Sequence, residues 1–124
     1  GPPFLANVTK DGREAFFQLF RDQNQTKAQL KTAVESWAST YGVSEEVAEF
    51  ETAMKAEQTE RRANLTTAIG QLQEAVNKLT SLEDAQDLTM VQTREQIEAA
   101  IDAMSPELRN LVIAAGRPPM PPRG

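Results

Sequence analysis

Residues 44–80 read SEEVAEFETAMKAEQTERRANLTTAIGQLQEAVNKLT, and the way this stretch folds decides the architecture. It opens on Ser44, an N-cap residue type, with Glu45 and Glu46 in the first turn, where the helix dipole favours negative charge. Val47, Phe50 and Met54 start an apolar stripe at helical spacing, and Leu65, Ile69, Leu72, Val76 and Leu79 resume it. Between the two halves, Lys55 to Arg62 carries no large apolar side chain. No proline interrupts the run and good helix formers dominate it. The spacing therefore predicts one long helix, bent if anything, with a polar middle facing solvent; the alternative is a break near Asn64 or Gly70.

Upstream, Thr26 followed three residues later by Gln29 has the form of a capping box. Leu30, Val34, Trp37 and Tyr41 then fall on one helical face, and Gly42 is a fitting stop. A first helix is predicted from Thr9–Asp11 to about Gln23, with Ala15, Phe16, Leu19 and Phe20 as its stripe. Before it, Gly1-Pro2-Pro3-Phe4-Leu5 reads as an extended arm whose two large apolar residues anchor it to the domain. Downstream, an acidic connector over 81–87 leads to a helix beginning near Thr89 and presenting Met90, Arg94, Ile97, Ile101 and Met104. Ser105-Pro106-Glu107 joins an N-cap serine to proline at the first helical position and starts a short last helix ending at Gly116. The tail Arg117-Pro118-Pro119-Met120-Pro121-Pro122-Arg123-Gly124 reads as polyproline.

No segment shows strand alternation. The expected fold class is all-α, a compact array of about five helices, one of them long, with extended proline-containing arms at both ends. Residues 1–124 make a single helical domain in this reading, with 1–8 as the arm and 117–124 as the proline-rich tail.

Composition narrows the function classes. With 40% hydrophobic and 25% charged residues the chain is globular in type. Its net charge of −5, with basic residues scattered, argues against nucleic acid as a partner, because phosphate binding needs clustered Lys and Arg. No apolar run is long enough to span a membrane. Cysteine and histidine are absent, which removes disulfides, thiol nucleophiles, His-based general bases and zinc sites of the usual kind. Carboxylates lie along every helix and no pair stands out, so no catalytic residue is nominated and no cofactor is required. The chain is expected not to be an enzyme.

Three binding features remain. Sequons at Asn7, Asn24 and Asn64 hint at secretion, and the Gly1-Pro2-Pro3 start is expected to follow removal of a leader. Glu83, Asp84 and Asp87 could hold a weak, water-rich magnesium or calcium ion. As an EF-hand loop, 84–95 places Glu95 well but has Gln86 and Leu88 for oxygen donors and Thr89 for glycine. The loop after Asp22 has Lys27 at the glycine position and Ala33 at the last. Finally, Phe16, Phe20, Trp37, Phe50, Ile97 and Ile101 are expected to form the core, or to line a ligand cavity should the helices leave one open for a lipid or small apolar ligand.

Several short motifs in order carry a resemblance. Pro2-Pro3-Phe4-Leu5, Ala15-Phe16-Phe17, Glu35-Ser36-Trp37-Ala38, Phe50-Glu51-Thr52, Gln96 to Ile101 and Met104-Ser105-Pro106-Glu107-Leu108 look like the nematode SXP/RAL-type secreted antigens, over nearly the whole chain. The resemblance implies an all-helical secreted protein of parasitic roundworms, recognised by host antibodies, allergens included, with no established biochemical activity. It also implies a helical array reminiscent of EF-hand proteins, proposed to bind magnesium or calcium. The tail after Gly116 is not carried over. The leading expectation is thus a non-enzymatic secreted antigen that acts on host antibodies or other host proteins. The alternatives are a carrier of lipid or another small apolar ligand and a weak divalent-cation binder.

Overall fold

The computed structural model describes residues 1–116 and 118–123; Arg117 and Gly124, the ends of the expected tail, lie outside the described residues. The chain is all-helical, with five α-helices and no strand among the described residues: α1 (Lys10–Gln18), α2 (Lys27–Thr40), α3 (Ser44–Asp84), α4 (Met90–Asp102) and α5 (Pro106–Ala115). It divides into two compact units, Gly1–Gln58 and Thr59–Gly124, and α3 contributes residues to both.

In the N-terminal unit the arm is present but wound. Pro3–Asn7 forms a 3₁₀ helix rather than an extended strand, closed by the amide of Leu5 donating to the Pro2 carbonyl and that of Val8 to the Leu5 carbonyl. Proline starts such a turn without loss, because its fixed φ suits the first helical position and its missing N–H would have had no partner there. The anchoring role stands: Phe4 and Leu5 are buried.

α1 begins where expected, with the Thr9 hydroxyl accepting from the Gly12 amide, but ends five residues early. From Leu19 to Arg21 each amide donates to the carbonyl three residues back, and the Gln25 side-chain amide takes up the Leu19 carbonyl. These local partners give the backbone a tight turn in place of another helical turn. α2 carries the full Thr26–Gln29 capping box, and Gly42 takes φ +70° after it, a left-handed conformation that costs glycine nothing. Phe4, Leu5, Val8, Phe16, Val34, Trp37, Ala38, Val43 and Val47 close the core of this unit.

α3 is one unbroken helix. Ser44 is its first residue and not its cap; the Val43 carbonyl accepts from the Val47 amide. In the C-terminal unit Ala68, Ala75, Leu79 and Leu82 of α3 pack with Ile97 and Ile101 of α4 and Leu108 and Val112 of α5. Thr89–Gln92 forms a second capping box, and Ser105 caps α5 with Pro106 behind it. The Arg109 guanidinium donates to the carbonyls of Ile101, Asp102 and Met104 at 3.3–3.4 Å, so a cation meets the negative end of α4. Residues 118–123 have no helix, as expected, and they dock: Met120 packs against this core, Arg94 donates to the Pro122 carbonyl at 3.4 Å, and Arg123 pairs with Glu98 at 3.2 Å.

Candidate functional site

The N-terminal unit gathers aromatic rings that its sequence scatters. Phe4 stands edge-on to Phe16 at 5.5 Å and to Phe50 at 5.3 Å, and Phe16 lies 4.8 Å from Trp37 and 5.0 Å from Phe20. Trp37 is fixed from behind, because its indole N–H donates to the Gly12 carbonyl at 2.8 Å. That bond requires α1 and α2 to approach closely, which the missing side chain of Gly12 allows. A Cβ there would lie 2.9 Å from the Tyr41 ring and would collide with Val8.

The rings do not fill the space between these elements. A cleft of about 450 Å³ remains, walled by Phe4, Phe16, Phe17, Phe20, Leu30, Val34, Val47 and Phe50, with Pro2, Lys27, Lys31 and Glu51 completing the lining. Its size lies within the range of about 300–1,000 Å³ typical of small-molecule sites, and its wall is almost wholly apolar. Phe17 is 55% exposed and Phe20 44%. Two phenyl rings held so open on one cleft are an unusual cost for a core to carry.

The six core or cavity candidates are thereby divided. Phe16, Phe20 and Phe50 line the cleft, and Trp37 backs it through Phe16. Ile97 and Ile101 belong to the other unit, where they are 1% and 4% exposed in the C-terminal core. Within that unit Ile97 also borders a cleft of about 410 Å³, beside Leu88, Met90 and Met120. Helical periodicity marks which faces are apolar, but it does not say which faces meet. The sequence reading missed Pro2, Phe17, Leu30, Val34, Val47, Lys27, Lys31 and Glu51 as lining residues. A signal existed for Phe17: with Phe16 and Phe20 it makes α1 and its exit broader in aromatic surface than one buried stripe needs.

Glu83 and Asp84 end α3 and Asp87 follows in the loop, all three exposed. Among the described residues no three His, Cys, Asp or Glu side chains stand close enough to share an ion. The EF-hand positions are otherwise engaged. Thr89 caps α4 with its hydroxyl on the Gln92 amide, while Asp22 accepts from the Asn24 amide at 3.0 Å and Thr26 from the Gln29 amide. These residues do not fit an all-protein magnesium or calcium cage, which needs several oxygens converging on one point. The sequon residues Asn7, Asn24 and Asn64 are all exposed.

A family model described as "SXP/RAL-2 family protein Ani s 5-like, metal-binding domain" matches residues 1–120. The chain belongs to the SXP/RAL-2 family. Among its curated relatives, SXP/RAL-2-like protein 2 of Caenorhabditis elegans is 35% identical over 106 residues, which is 86% of this chain and 52% of the relative. SXP/RAL-2 family protein Ani s 5 of Anisakis simplex is 36% identical over 80 residues, 64% of this chain and 49% of the relative. This SXP/RAL-2 chain spans about half the length of the curated relatives it matches. No solved structure is significantly similar to it. The nematode, antigen-like family expected from the residues is thus the family found, and among the described residues no helix is long and apolar enough to cross a membrane.

Proposed function

We propose that this chain is a secreted, non-enzymatic binding protein whose N-terminal unit takes a small apolar ligand into the phenylalanine-walled cleft. One observation carries the reading: about 450 Å³ of open, apolar space bordered by exposed Phe17 and Phe20. Burying those two rings against a ligand would remove apolar surface from water at roughly 25 cal/mol per Å². Secretion and recognition by host antibodies or other host proteins belong to the same proposal through the antigen-like family.

The test uses a neutral dye, N-phenyl-1-naphthylamine, which brightens in apolar surroundings. Saturable binding is expected, weakened at least tenfold by Phe17→Asp with Phe20→Asp, while far-UV ellipticity stays unchanged because both side chains are exposed. Absence of saturable binding to the unaltered chain would end the reading.

The family description names metal binding, and the dispersed donor set predicts the outcome for this chain. Titration with magnesium or calcium to about 1 mM should leave the backbone amide signals of Glu83, Asp84 and Asp87 in place. Localised, saturable shifts there would support the cation-binding alternative.

A further inference from the structure

We infer that the cleft of the N-terminal unit is built for a single-chain anionic amphiphile, its apolar chain against the phenylalanines and its anionic head at Lys27 and Lys31. This rests on the reading of the cleft as a ligand site and adds the chemical class of the occupant. The charged residues of the lining are few: Lys27, Lys31 and Glu51. Two cations against one carboxylate make the lining net positive in a chain whose net charge is −5.

The lysines are not explained by what they do for the helix. Lys27 is the first residue of α2, where a cation opposes the helix dipole and an acidic side chain would be favoured. Lys31 lies one turn on, on the same face. Among the described residues neither side chain makes a hydrogen bond or an ion pair, and the Glu51 carboxylate makes none either. Both lysines are exposed, so their ammonium groups keep their water until an anion arrives, while their methylene stems extend the apolar wall. An apolar slot with two unpaired cations on it complements a fatty-acid-like molecule: the chain supplies the buried area and the carboxylate accepts charge-assisted hydrogen bonds. About 450 Å³ suits one aliphatic chain better than the two of a phospholipid.

The experiment compares decanoate, decanol and decyltrimethylammonium on the full chain by displacement of the neutral dye, each kept below its micelle or solubility limit. Decanoate should bind at least about fivefold tighter than decanol, and the cation weaker than either. Lys27→Gln with Lys31→Gln should bring the decanoate-to-decanol affinity ratio from about fivefold to near one, whatever the shorter stems do to both ligands alike, and 1 M NaCl should shrink the same ratio by screening. Equal affinities for decanoate and decanol, or preference for the cation, would overturn the anionic-head inference and leave the apolar cleft standing. If none of the three displaces a dye that does bind, the inference fails; if the dye itself does not bind, the cleft reading fails first. Co-sedimentation with phosphatidylglycerol vesicles without displacement by decanoate would instead assign the face to a lipid surface and overturn the single-molecule occupant.

Discussion

Gly12 shows how much one residue can carry. Its amide closes the cap of α1, its carbonyl receives the Trp37 indole, and its bare Cα lets Tyr41 and Val8 close over it. Gly12→Ala should therefore lower unfolding stability by about 1–3 kcal/mol, read from urea titration of Trp37 fluorescence, because the ring and the valine must move aside. Gly70 is the opposite case. It sits inside α3, and a methyl group added to it would meet nothing within 4 Å, so Gly70→Ala adds helix propensity without a clash. That variant should be more stable by about 0.5–1 kcal/mol in a urea titration followed by helical ellipticity. Neither difference is visible in the letters, since both positions read simply as glycine in a helical run. The neighbours decide the sign.

At the scale of elements, the helix starts were the most legible feature. Thr26 and Ser105 cap α2 and α5 as the sequence predicts, and Thr89, expected only as the start of α4, caps it too, because a hydroxyl reaching the amide three residues on is a local event. Thr26→Ala should cost about 0.5–2 kcal/mol by thermal melting followed at 222 nm. Helix ends were less legible where side chains intervened: α1 stops at Gln18 because Gln25 reaches back to Leu19, a partner six residues away that no period reveals. The polar middle of α3 behaves as its composition predicts, continuous and exposed over 59–64. With little tertiary cover there, amides of 59–64 should exchange with deuterium faster than those of 75–82, whose turns bury Ala75, Leu79 and Leu82. Uniform protection along the helix would contradict this.

At the scale of the whole molecule, the buried residues fall into two clusters with no residue in common. Trp37, the sole tryptophan, reports on the first core alone. Ile97→Ala removes buried methyl groups from the second and should cost about 2–5 kcal/mol there. The ellipticity midpoint is then expected to fall by more than the Trp37 fluorescence midpoint. Transitions that coincide and shift equally would make the chain one cooperative domain.

By itself the sequence determined the helical class, the long α3, the caps and the family, because propensity, hydroxyl capping and apolar period all act within a few turns of chain. Only the tertiary structure decided which apolar faces meet. It buried Ile97 and Ile101 in the second core and left space between Phe16, Phe20 and Phe50. It also set Lys27 and Lys31 on that space. Packing of residues far apart in the chain depends on shape and volume in three dimensions, and a one-dimensional pattern carries neither.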